Sequence, residues 1–199
     1  MTTDPRFVRS ADALRDAILA LAADRPVERI SVTEVARHAG VTRATFYNHA
    51  TSPATLLTGT LEAELDAIQA GFLVRAEQDP AEVESIWRAS ELELIEHIER
   101  HAAVYREGLA PVEGAHGSVL AYLLAGHLER GLNAYLAQTP AAHDAATETR
   151  MAMAAAFVGL GTVGALRAWL ESPEPHDPQF AADTILDLIP RLWFAVGQA

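Results

Sequence analysis

The chain of 199 residues, half of them hydrophobic and 21% charged, has the balance of a soluble globular protein with room for one domain or two small ones. It has no cysteine, which excludes a disulfide framework, a thiolate zinc site and cysteine catalysis. The net charge of −12 is uneven: residues 1–52 carry seven Arg against six acidic residues, and the remainder carries eight Arg against 21. A near-neutral, Arg-bearing segment on an otherwise acidic chain suits an anionic partner, although a solvated acidic surface gives the same arithmetic. Asp4, Arg6, Arg9 and Asp12 leave no apolar stretch for a signal peptide, and no apolar run is expected to reach the ~18 residues of a membrane span. The expectation is a cytoplasmic protein.

Apolar residues recur at helical spacing along nearly the whole chain, which predicts an all-α fold. Leu14, Ile18 and Leu21 make the stripe of a first helix over roughly 8–23, stopped by Pro26. Ser31 with Glu34 forms a capping-box pattern for a second short helix, whose apolar face is Val32, Val35, Ala36 and Ala39. Gly40 ends it in the position that favours a left-handed residue, and Thr42 caps a third short helix over 43–49 around Phe46. Ser52-Pro53 opens a long helix lined by Leu57, Leu61, Leu65, Ile68 and Phe72 and closed by Asp79-Pro80.

Trp87, Leu94, Ile98 and Tyr105 mark a helix or helix pair over 81–108, and a Gly/Pro-rich loop follows it. Val119 to Leu136 predict a helix over about 118–138, and the Ala-rich stretch 141–170 predicts another. Pro173, Pro175 and Pro178 make a loop. A last helix carries Phe180, Ile185, Leu188, Ile189, Leu192, Trp193 and Val196, with Pro190 as a kink or an early end.

Residues 31–49, SVTEVARHAGVTRATFYNH, are thus two short capped helices joined by a tight Gly-containing turn. That is the helix-turn-helix arrangement, in which one helix braces and the next enters the major groove. The second helix offers Arg43, Thr45, Tyr47, Asn48 and His49 as donors, with Ala44 small enough for close backbone approach. Phosphate oxygens and base edges want such groups. A polar helix with a single apolar anchor is poor core material and good groove material.

The segment resembles the N-terminal domain of the TetR family of bacterial transcriptional regulators. The match runs through Val32, Val35, Ala36, Ala39, Gly40, Val41, Thr42, Thr45, Phe46, Tyr47 and His49, then Ser52, Leu56 and Leu57. It covers roughly residues 8–60; later helices match only in number and length, with a loose ALRAWLES pattern at 165–172. The resemblance implies that Thr42, Thr45, Tyr47 and His49 donate to phosphates, and that Thr33 touches the backbone. It implies that Arg43, Ala44 and Asn48 face base edges. Two departures stand out. Ala50 replaces the family's usual aromatic, implying looser packing under the third helix. Pro53 replaces its usual Lys, implying one phosphate contact fewer and weaker salt dependence.

The resemblance further implies a DNA-binding domain over 1–52 and, over 53–199, an antiparallel helical domain for effector binding and dimerisation. Phe72, Trp87, Tyr105 and Tyr122 would wall an effector cavity, with His97, His101 and His127 as polar handles. Ala155, Phe157, Val158, Gly161, Leu166, Trp169, Ile185, Leu188, Leu192 and Trp193 would form a four-helix dimer interface. No cofactor is implied.

Two patterns are decoys. Gly159, Gly161 and Gly164 spell G-x-G-x-x-G with Asp183 about twenty residues on, but no strand precedes them and a Pro-rich loop follows. Such glycines better serve close helix approach. Glu93, His97 and His101 share a helix face at metal-ligand spacing, yet polar helix residues commonly sit so without an ion, and no metal is expected. The reading is a homodimeric, ligand-released repressor that is not an enzyme, acting on double-stranded DNA at a near-palindromic operator. Its rivals are an all-α protein-interaction module and a helical enzyme using the histidines.

Overall fold

The computed structural model describes residues 4–110, 118–138 and 145–189, and these contain helices and no strand. In chain order the helices are α1 (Pro5–Ala22), α2 (Val32–His38), α3 (Arg43–Tyr47), α4 (Pro53–Gln78), α5 (Val83–Arg100), α6 (Ala102–Leu109), α7 (Val119–Gln138), α8 (Ala145–Leu170) and α9 (Pro178–Leu188). Single 3₁₀ turns at Val27–Arg29 and Pro80–Glu82 were not marked by any periodic signal. Leu192, Trp193 and Val196 lie outside the described residues.

The expected punctuation is present in atomic detail. The Ser31 hydroxyl accepts the Glu34 N–H at 3.3 Å while the Glu34 carboxylate accepts the Ser31 N–H at 2.9 Å, closing the capping box. Those donors hold the Glu34 carboxyl below its ordinary range, and Arg25, 2.6 Å away, adds to the effect. Gly40 adopts φ +66°, where a side chain is strained. Around it, the Val41 N–H reaches the Ala36 carbonyl at 2.9 Å and the Gly40 N–H that of Arg37 at 3.3 Å, the paired bonds of a Schellman ending. Thr42 then caps α3 by accepting the Thr45 N–H at 3.1 Å, and Ser52 caps α4 by accepting that of Thr55 at 3.1 Å.

The packing divides the chain into two compact units, and not at residue 52. One unit holds residues 1–63 and 101–120, so the first turns of α4 and all of α6 belong with the helix-turn-helix. Its core is Leu14, Ile18, Val35, Phe46, Leu57, Leu61 and Tyr105, with α1 packed on both α2 and α6. Each fully buried aliphatic there contributes about 1.5–3 kcal/mol relative to exposure.

The other unit holds residues 64–100 and 121–199. Its α5 packs on α9, and α9 on α8. Leu65, Ile95, Ile98, Leu124, Leu166, Leu170 and Ala182 are buried within it. Contrary to the expectation from sequence, helix α8 is long and apolar enough to cross a membrane by length and composition. A third of that stretch is buried inside the unit. Much of the rest is an apolar stripe on the outer face.

Candidate functional site

Helix α3 and the residues flanking it turn most of their side chains outward. Thr42, Arg43, Ala44, Tyr47 and Asn48 are exposed, and Thr45 and His49 are half-buried. Thr33 is exposed in the first turn of α2. Phe46 alone turns inward, with no exposed surface, and fixes the roll of the helix; Tyr47 meets its ring edge-on at a centroid distance of 5.6 Å. Arg43 makes no ion pair or hydrogen bond among the described residues, so its guanidinium is available to an anionic or base partner.

His49 is placed differently from a free phosphate donor. Its Nε2 lies 2.7 Å from the Ser10 hydroxyl and its ring stacks on Phe7 at 4.1 Å, tying the end of the α3 segment to α1. Nδ1 is then the nitrogen left for a partner outside the domain. Ala50, where looser packing was expected, is buried, and its N–H bonds to the Phe46 carbonyl at 3.0 Å.

A cavity of about 100 Å³ opens within the second unit between α4, α5 and α7. Its walls include Ile68, Gln69, Phe72, Trp87, Ser90, Glu91, Leu94, His127, Leu128 and Leu132. Phe72, Trp87 and Tyr135 form an aromatic cluster with centroids 5.2–5.7 Å apart. Three of the residues expected here, Phe72, Trp87 and His127, line it. Four do not. His97 is fully buried against the Glu64 carboxylate, with 3.1 Å between Nδ1 and oxygen. Tyr105 is core of the other unit, His101 stands half-buried at the N-cap of α6, and Tyr122 is largely exposed on α7.

The residue that sequence reasoning missed is Glu91. It sits at helical spacing in the seam of Trp87, Leu94 and Ile98, a polar residue on an apolar stripe, and that interruption was the available signal. Burial alone pushes its carboxyl up to about 7, and its Oε1 has no hydrogen-bond partner among the described residues. Nearby, burial pulls the His127 imidazole down, while the Asp66 carboxylate at 3.4 Å pulls it the other way. Glu93, considered as a metal ligand in sequence, is instead clamped by the Arg75 guanidinium at 2.7 and 3.1 Å.

The expected interface residues also divide. Ala155, Val158, Leu166, Trp169 and Ile185 are buried within the chain's own core and are not exposed to a partner. Phe157, Gly161 and Leu188 are exposed. With Met153, Leu160, Gly164 and Ala168, the first two form one stripe along the outer face of α8, and Phe180 joins Leu188 on α9. Among the three glycines of α8, Gly159 is the exception: a Cβ there would lie 2.8 Å from the Ala125 carbonyl oxygen, whereas Gly161 and Gly164 face open space.

Residues 14–58 match the profile of the bacterial regulatory proteins of the tetR family. Over this segment the chain is similar to the TetR-family helix-turn-helix. No curated protein matches the chain. Among solved structures it is similar to the dihydroxyacetone kinase operon activator DhaS, with 13% identity over 90% of this chain and 93% of that one and a TM-score of 0.59. It is similar to SmeT, the repressor of the Stenotrophomonas maltophilia multidrug efflux pump SmeDEF, with 20% identity over 90% and 87% of the two chains and a TM-score of 0.59. It is also similar to NalD, the secondary repressor of the Pseudomonas aeruginosa efflux pump MexAB-OprM, with 18% identity over 92% and 96% and a TM-score of 0.58. At these identities the likeness establishes a shared all-α fold, which continues beyond the TetR segment into the second unit. The proteins it resembles are regulators and not enzymes.

Proposed function

We propose that the chain is a cytoplasmic, homodimeric, ligand-responsive DNA-binding regulator that represses transcription by occupying a near-palindromic operator. The observation that carries this reading is the presentation of α3: one aromatic anchor buried, and Arg43, Ala44, Tyr47 and Asn48 turned outward on a TetR-family scaffold. Arg43 with Asn48 supplies base-edge donors, and Thr42 with Tyr47 supplies phosphate donors. Two copies related by a two-fold axis would set recognition helices in successive major grooves, roughly 34–36 Å apart, on a near-palindromic site.

The apolar stripe of Met153, Phe157 and Leu160 with the open Gly161 and Gly164 supports a helix-on-helix dimer, because small residues let a partner helix come close. The cavity lined by Phe72, Trp87, Glu91 and His127 is the effector site in this reading. A ligand there would favour one dimer geometry over the other and shift the population away from DNA. Related folds serve both an activator and repressors, so the sign of control is tested directly.

The experiment is a mobility shift on the DNA upstream of the chain's own gene against scrambled DNA at matched salt, paired with a reporter driven by that upstream DNA. Preferential retention with reporter silencing is the expected result. Equal retention of both DNAs, or none, favours the protein-interaction reading; reporter stimulation reverses the sign.

A further inference from the structure

Among the described residues of the second unit, Glu91 is an ionisable group that neither fold nor packing explains. Glu91 is buried, lines the cavity, and keeps a carboxyl oxygen without a hydrogen-bond partner among the described residues. A carboxyl left in that state costs free energy that an apolar residue of similar size would not, so its presence points to something that arrives.

The charged and titratable groups on the surrounding helices are committed elsewhere. On α4, the Asp66 carboxylate lies 3.4 Å from the His127 Nδ1 without a hydrogen bond to it, and Arg75 pairs with Glu93. On α5 itself, Arg88 pairs with Asp183 of α9 at 2.5 Å. On α7, His127 is kept toward its neutral form by burial, Arg130 acts on that imidazole, and the Tyr135 phenol is pushed up by burial. Among the described residues no cation pairs with Glu91, whose carboxyl is shifted by burial alone.

We propose that this cavity binds a small lipophilic amine, whose ammonium pairs with Glu91 and whose hydrocarbon body lies against Phe72 and Trp87. This deepens, and rests on, the reading of the cavity as the effector site. Three features select this class. The carboxylate supplies the counter-charge and the missing hydrogen bond in one contact, and an ion pair out of water is stronger than one in it. The clustered aromatic faces attract a cation as well as hydrocarbon. The volume of about 100 Å³ admits a single ring or short chain, with anything larger reaching out through the open side.

A neutral alcohol would satisfy the oxygen but could not stabilise the ionised carboxyl. An anionic ligand would oppose it. Because the carboxyl is largely protonated below about pH 7 when the cavity is empty, amine binding at pH 6 releases a proton.

The test is calorimetric titration of the full-length protein with benzylamine, benzyl alcohol and phenylacetate, at pH 6 in two buffers of different protonation enthalpy and again at pH 8. The expected result is benzylamine bound at least tenfold more tightly than benzyl alcohol at pH 8, no phenylacetate binding, and proton release at pH 6. Glu91→Gln removes the preference for the amine and the proton release while leaving benzyl alcohol binding in place. Benzyl alcohol equalling the amine, Glu91→Gln leaving amine affinity unchanged, or no binding of either probe overturns the inference. Mobility shifts with the same probes separate it from the reading beneath it. Amine bound through Glu91 without DNA release keeps the inference and defeats the effector role. DNA release equal in wild type and Glu91→Gln keeps the effector role and defeats the inference.

Discussion

The carbonyl oxygen of Ala125, on α7, lies 2.8 Å from the point where a Cβ on Gly159 of α8 would sit. The two helices meet there backbone to backbone, and only glycine permits it. Gly159→Ala is therefore expected to lose about 1–3 kcal/mol by overpacking against a rigid carbonyl. Gly161→Ala and Gly164→Ala face open space and gain up to about 1 kcal/mol of helix propensity in the isolated subunit. Urea unfolding of all three, in a background where subunits are kept apart, checks the order; a Gly159→Ala variant as stable as its parent would show that the helices separate without cost.

Glu91 predicts a pH-dependent stability of definite sign. Its folded-state carboxyl titrates near 7 against an ordinary value of 4.5, so the native state holds a proton that the unfolded chain has already lost. The protein accordingly loses stability as pH rises from about 4.5 through 7, by about 3 kcal/mol in all. Glu91→Gln removes that dependence. Thermal unfolding is expected to show the variant more stable than wild type at pH 8 and the two converging below pH 5. Parallel curves across this range would mean that Glu91 is solvated in solution.

The difference between what could and could not be read in the sequence follows from locality. The Ser31–Glu34 box, the Gly40 ending, the Thr42 cap and Ser52-Pro53 are each closed by bonds spanning five residues or fewer, so residue type and spacing determine them. The inward turn of Phe46 was legible for the same reason: it is the one large apolar residue of a five-residue helix other than the amphipathic Tyr47. The cavity was not, because its walls come from three helices whose relative rotation no single-helix pattern encodes. Tyr105 and Tyr122 are alike in type, yet one is core and the other is solvated. Helix α8 hid its exposed apolar face for a different reason. It is apolar almost all round, so periodicity does not distinguish the side holding Leu166 and Val158 from the side holding Phe157 and Leu160.

That split predicts opposite behaviour for two residues nine apart. Phe157 is 67% exposed and Leu166 fully buried. Phe157→Arg is expected to leave helicity and subunit folding intact while halving the mass in solution from twice 21.4 kDa to a single chain. Operator binding falls with it. Leu166→Ala is expected to cost about 2–5 kcal/mol of stability through the cavity it leaves, with the dimer mass retained. Light scattering with chemical unfolding on both variants decides the matter. A dimer surviving Phe157→Arg would place the interface elsewhere.

Arg43 and Tyr47 lie one helical turn apart on the exposed side of α3, yet different losses are expected from each. Arg43 has an unshared guanidinium whose fork matches the two acceptors of a guanine edge, so Arg43→Ala should cost about 1–3 kcal/mol on the operator and relax preference at one base position. Tyr47→Phe removes only a hydroxyl suited to phosphate, so affinity should fall alike on operator and random duplex, with ring packing on Phe46 preserved. Competition binding at fixed salt on the operator, its single-base variants and random DNA distinguishes the two. If Arg43→Ala weakens every duplex equally, its guanidinium lies on the backbone and Asn48 becomes the remaining side chain on this face able to read a base edge. If Tyr47→Phe changes which base is preferred, the helix lies deeper or more rotated in the groove than the inward turn of Phe46 implies.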